Sequence, residues 1–174
     1  MNQQELVKQL SGKHLDFHDL IATLNQQEFE FKVGEKWSAA QQFDHIIKSV
    51  DALLLVFKLP RFVPRLLFGK ANRASRSYDQ VVEKYHQALA SGAKAGKAFT
   101  PPVIPFSHQA KLLSKYKKVV DSLCSGVSKM NETELDNLVI PHPLLGKMTM
   151  REMLYFTLYH VQHHHQGVAN QLQK

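Results

Sequence analysis

Four of the chain's ten histidines lie between positions 160 and 165, in the run Tyr159-His160-Val161-Gln162-His163-His164-His165-Gln166. On a helix, residues four apart share a face, with Cβ atoms roughly 5–6 Å apart. His160 and His164 therefore point the same way, and two imidazoles so placed can grip one ion at ~2.0–2.1 Å. His163 and His165 are turned ~100° to either side of His164, so they do not simply extend the pair. The same spacing also describes two half-exposed histidines on a helix edge, since such pairs arise by chance in a histidine-rich chain. A second pair, His14 and His18, has Asp16 and Asp19 beside it. Its neighbours are ordinary helix residues, and it reads as structural or as surface.

The elements that must position these side chains can be read from apolar period and from caps. Thr149 and Glu152 form a capping box that opens the last helix. Along it Met150, Leu154, Leu158, Val161, Val168 and Leu172 make one apolar arc. His160 and His164 fall on its flank, beside Met153, Thr157 and Gly167. The first helix is expected over 3–24, on Leu6, Leu10, Phe17, Leu20, Ile21 and Leu24. Residues 25–37 read as a polar connector broken at Gly34. Ser38 and Gln41 make a second capping box, with Trp37 just before it, and a helix follows to about residue 59 with Ala39, Phe43, Ile46, Val50, Leu53, Leu54 and Phe57 on its core face. His45 lies off that face, on a strip of small residues with Gln42, Ser49, Ala52 and Val56. The strip lines a cleft or faces solvent, and pattern alone favours solvent for His45.

Pro60 stops this helix. Residues 60–76 mix Phe62, Leu66, Leu67 and Phe68 with Arg61, Arg65, Lys70, Arg73 and Arg76, and Pro64 and Gly69 deny them a long helix. They read as an irregular crossover packing its apolar residues on the core, as a lid or shoulder over a pocket, or as a membrane-surface or partner contact. A further helix is expected over 77–91, capped by Ser77, in which His86 shows no partner. Gly92, Gly96, Pro101, Pro102 and Pro105 make 92–106 a long irregular connection. The next helix runs from about 107 to 126 and places Cys124 as buried packing. The connector 127–148 carries a short turn at 131–136. No segment alternates convincingly as a strand, and Val139-Ile140 is too short to count.

Composition bounds the class. A chain of 174 residues is most simply one domain, 1–174, long enough to bury a core. One cysteine excludes an internal disulfide and suits a reducing cytoplasm. The start lacks a basic segment followed by an apolar one, so no signal peptide is expected. No apolar run approaches the ~20 residues of a membrane span. The net charge of +7 suits anionic partners, but no nucleic-acid-reading motif accompanies it and no specific nucleic acid is expected. Phosphate-loop, Ser/His/Asp and CxxC motifs are absent.

Trp37-Ser38 with His45 seven positions on, followed near the end by His160, His164 and a trailing Gln/Gly stretch, resembles the DinB-like family. The segment from Lys36 through Arg76, with Leu67-Phe68-Gly69-Lys70-Ala71-Asn72-Arg73, looks like a bacterial branch of it. The resemblance implies an all-α fold: an up-down-down-up four-helix bundle with long irregular crossovers. It implies one divalent metal (Zn, Ni, Fe or Mn) on His45, His160 and His164, which reverses the pattern-based placement of His45. It implies a metal-dependent enzyme, foremost a low-molecular-weight-thiol S-transferase of the bacillithiol type. A metal-dependent hydrolase and a non-catalytic binding or stress-related module are the alternatives. A low-molecular-weight thiol is then the cosubstrate, with Arg61, Arg65 and Arg73 as candidate anion contacts. A small-molecule substrate is the expected partner, and a homodimer through helix faces is the assembly left open.

Overall fold

The computed structural model describes residues 1–60 and 62–173. Among the described residues, eight α-helices and one hairpin follow in the order α1 (Gln3–Thr23), α2 (Gln26–Glu30), α3 (Ala39–Lys58), α4 (Phe62–Phe68), α5 (Tyr78–Ala90), α6 (Gln109–Ser128), α7 (Glu132–Asn137), β1 (Val139–His142), β2 (Gly146–Thr149) and α8 (Met150–Leu172). Helix starts are set locally. The boxes at Ser38/Gln41 and Thr149/Glu152 form as expected, and Ser77 caps α5 in a third with Gln80. In each, the hydroxyl accepts one orphan amide and the third helical residue reaches back to another.

Two more boxes correct the sequence reading. Asn25/Glu28 turns part of the expected polar connector into α2, and Asn131/Glu134 makes the turn near 131–136 into α7. The larger correction is the hairpin. Val139 pairs with Thr149, Ile140 with Met148, Pro141 with Lys147 and His142 with Gly146, antiparallel. Each strand has only four residues, buried as consecutive rather than alternating positions, so the period of two was not visible. The turn is held from outside the strand pattern: the His142 Nδ1 accepts the Leu144 and Leu145 amides, each at 3.1 Å. Gly146 adopts φ +73°, a backbone region glycine enters freely.

The four long helices share one core, in which Phe17 of α1, Phe43 of α3 and Tyr116 of α6 meet ring to ring. Their directions follow from end contacts. The Gln109 side chain at the start of α6 donates to the Ile21 and Leu24 carbonyls at the end of α1, so these two are antiparallel. Phe43 stacks on Tyr116, and Phe57 abuts Gly126 one end further on, so α3 and α6 run together. Arg151 donates to the Met1 carbonyl while Phe17 meets His165, so α1 and α8 also run together. Gln42 bonds Gln171, which sets α3 against α8 in the opposite sense.

The segment 60–76 does not pack as expected. Phe62, Leu66 and Leu67 are exposed, and only Phe68 of the four apolar residues packs against the core. Arg73 and Arg76 turn instead to Glu152, which is fully buried. Its carboxylate accepts from Arg73 Nη1 at 2.5 Å, Arg73 Nη2 at 3.0 Å and the Arg76 amide at 2.6 Å. Burial pushes the Glu152 carboxyl up, and these bonds with the Thr149 amide outweigh it, leaving it below the usual range. The crossover is thereby clamped to the start of α8.

Candidate metal centre

His45 on α3 and His160 and His164 on α8 meet where the two helices run antiparallel. The His160 Nε2 stands 3.1 Å from the His45 Nε2 and 3.2 Å from the His164 Nε2. All three residues are buried, and one ring nitrogen of each lies within 4.8 Å of the others. The solvent placement that pattern favoured for His45 is thus corrected: α8 meets the strip at Gln42 and His45. The hydrophobic period tells which residues share a face, not which neighbour faces them.

The rings are oriented from behind. The His45 Nδ1–H donates to the Phe99 carbonyl at 2.8 Å, and the His164 Nδ1–H donates to Gln42 Oε1 at 3.1 Å. Both bonds fix the hydrogen on Nδ1 and leave the Nε2 lone pair aimed at the cluster. Gln42 is itself held, donating to the Trp37 carbonyl and to Gln171 Oε1, each at 3.3 Å. Gln171 in turn donates to the Phe31 carbonyl at 2.7 Å. Phe156 stacks on His160 with centroids 4.8 Å apart, and Trp37 lies 4.9 Å from the His45 ring. Gly167 makes room for Gln42, since a Cβ there would stand 2.9 Å from Gln42 Oε1.

These residues fit a divalent ion. With bonds of ~2.0–2.1 Å, two donor atoms stand ~2.9 Å apart at a right angle and ~3.4 Å apart at the tetrahedral angle. The two measured separations fall between. Without a cation the arrangement is uncomfortable: the His160 Nε2 can offer a hydrogen to one neighbour only, and the other contact sets lone pair against lone pair. Burial first, and then the neighbouring imidazoles, hold His160 and His164 well below the usual histidine pKa. Burial also lowers His45, partly offset by its bond to Phe99. All three are neutral at pH 7, the form that donates to a metal.

The family model of the DinB superfamily matches residues 9–167. The chain belongs to the DinB superfamily. No curated protein and no solved structure matches it. In this DinB chain the three-histidine group could hold a metal ion, and the rest of the histidine run does other work. His163 is exposed and stands edge-on to Tyr85, while His165 packs edge-on to Phe17.

The pair His14/His18 does not act as a pair. His14 is fully buried with its Nδ1 2.6 Å from the Tyr116 hydroxyl, and His18 bonds Asp19. His86, expected to stand alone, meets the Tyr159 hydroxyl at 2.5 Å. Of the proposed anion contacts, Arg61 lies outside the described residues. Arg65 is exposed on α4, and Arg73 is engaged by Glu152.

The histidines form part of the wall of a cavity of about 980 Å³, to which Lys36 and Lys94 also contribute and Arg65 and Arg73 do not. The whole small-residue strip of α3, Gln42, His45, Ser49, Ala52 and Val56, lines it. Sequence reading missed Gln42 and Phe99 as orienting groups. Gln42 carries a usable sign, since it lies three residues before His45 on one strip. The Phe99 contribution is a backbone carbonyl and carries none.

Proposed function

We propose that this DinB chain is a divalent-metal-dependent enzyme with His45, His160 and His164 as ligands, acting as a low-molecular-weight-thiol S-transferase. The observation that carries it is the convergence of three Nε2 atoms at a large cavity, with two of the three rings, His45 and His164, hydrogen-bonded from behind. Three protein ligands leave coordination positions free, as catalytic sites do. A bound divalent ion would supply Lewis acidity that lowers the pKa of a thiol near it. The chain's own part is to hold the ion, seat the electrophile in the cavity and meet the thiol's charge with Lys36 and Lys94. The chain's one thiol does not compete: Cys124 lies outside the cavity lining, and burial pushes that thiol up. The same Lewis acidity serves water, so hydrolysis is the second reading.

The end contacts of the long helices support the family's up-down-down-up four-helix bundle, with residues 1–174 as one domain. A small molecule is the partner, and the single cysteine suits work in the cytoplasm.

The test is metal content of untagged protein beside His164→Ala, followed by conjugation of small thiols to an alkylating dye. About one divalent ion per chain, lost in the variant, and metal-dependent conjugation are the expected results. No ion in the unmodified protein, and no uptake of zinc, nickel or manganese, would sink the reading.

A further inference from the structure

The cavity does not end at the histidines. It follows α3 from His45 to Leu59, about 21 Å at 1.5 Å per residue. Along α3 its polar lining residues, Gln42, His45 and Ser49, all lie at the histidine end. Past Ser49 the α3 wall is Val50, Ala52, Leu53, Leu55, Val56 and Leu59, all apolar, while β1 and α8 add the polar groups of His142 and Thr157. The far end opens between Leu55, Leu59 and Leu67, which line the cavity and are yet 59%, 41% and 63% exposed. Apolar side chains that are at once wall and surface form a mouth that water solvates poorly and an apolar ligand would cover. A volume of about 980 Å³ is at the upper end for small-molecule sites, more than a compact polar electrophile fills.

We infer that the cavity binds an amphipathic molecule with a long aliphatic chain, its polar reacting group at the His45–His160–His164 end and its chain laid along α3 toward the Leu55–Leu59–Leu67 mouth. This names the substrate class for the site under the proposed function, but binding of the chain does not need the metal. The apolar wall contributes through chain length, at ~0.8 kcal/mol for each buried methylene, about fourfold in affinity.

The test is calorimetric titration of chelator-treated protein with n-alkyl carboxylates of six to fourteen carbons, each below its micelle concentration, at one site per chain. The expected result is affinity rising severalfold per added methylene and levelling off once the cavity is filled. Ala52→Phe, which fills the middle of the cavity, should lose binding of the longer chains. Leu55→Glu, on an exposed mouth residue that the fold does not need buried, should weaken them at least tenfold. Leu66→Gln alters an 81% exposed leucine outside the cavity lining and should leave the series unchanged.

Affinity independent of chain length, or a series that Leu66→Gln abolishes and Leu55→Glu spares, would overturn the inference. The two readings fail separately. Metal uptake without chain-length dependence removes this inference and leaves the metalloenzyme. Chain-length dependence without metal uptake does the reverse.

Discussion

His14 shows how much a single buried imidazole can cost. It is fully buried on α1, its Nδ1 meets Tyr116, and its Nε2 has no partner. Burial lowers its pKa from 6.5 to about 3. Above pH 6.5 the group is neutral in both states and folding does not sense it. As pH falls from 6.5 toward 3, the unfolded chain takes up a proton that the folded chain refuses, so stability falls with pH. Between pH 7.5 and pH 5 the loss is about 2 kcal/mol from this residue. His14→Gln keeps a polar group beside Tyr116 and removes the titration. In urea unfolding of chelator-treated protein, its stability should decline less between those pH values than that of the unmodified chain, by about that amount. Equal declines would show that His14 is not the group responsible. In the sequence His14 and His160 looked alike, each the first of a pair four apart. What separates them is a hydroxyl 102 residues away from one and an imidazole 115 residues away from the other, and neither distance is written locally.

At the scale of elements, what was legible follows the range of the interaction. The boxes opening α3 and α8 are closed within four residues, so their starts were readable. The hairpin β1–β2 was not, because two four-residue strands are held by burial and by the His142 ring rather than by alternation. The approach of α8 to α3 gives a sharper test. Gly167 is a poor helix residue, and alanine there should gain up to ~1 kcal/mol of helix propensity. Its added Cβ would stand 2.9 Å from Gln42 Oε1. That atom ends a flexible side chain and can move, so the fold tolerates the change. In moving, it gives up the bond that orients His164. Gly167→Ala should therefore leave stability equal or higher while weakening metal binding about tenfold, the usual effect of losing a partner behind a ligand. Thermal unfolding of metal-free protein and a competition titration with a chromogenic chelator measure the two quantities. Metal affinity unchanged in Gly167→Ala would mean that Gln42 does not set the ligand's orientation.

The whole molecule makes the site and should in turn be stabilised by it. His45 and His160 are 115 residues apart in sequence and 3.1 Å apart at Nε2, a proximity only the folded chain maintains. An ion held by α3 and α8 together would tie the two helices at one end, while Glu152 clamps the crossover to α8 at its start. Because the unfolded chain offers scattered imidazoles instead of a formed site, binding favours the folded state by RT ln(1 + [L]/Kd), ~2.7 kcal/mol at a hundredfold excess over Kd. For a chain of this size, that raises the unfolding midpoint by about 5–10 °C. Scanning calorimetry with zinc, nickel or manganese against chelator should show the rise in the unmodified protein and in His18→Ala, whose ring bonds Asp19 away from the three-histidine group. It should vanish in His45→Ala. A rise that persists in His45→Ala would place the ion elsewhere, on exposed histidines such as His163. A midpoint indifferent to all three metals would mean that the imidazoles meet for packing alone, and the large cavity beside them would then be the feature to explain.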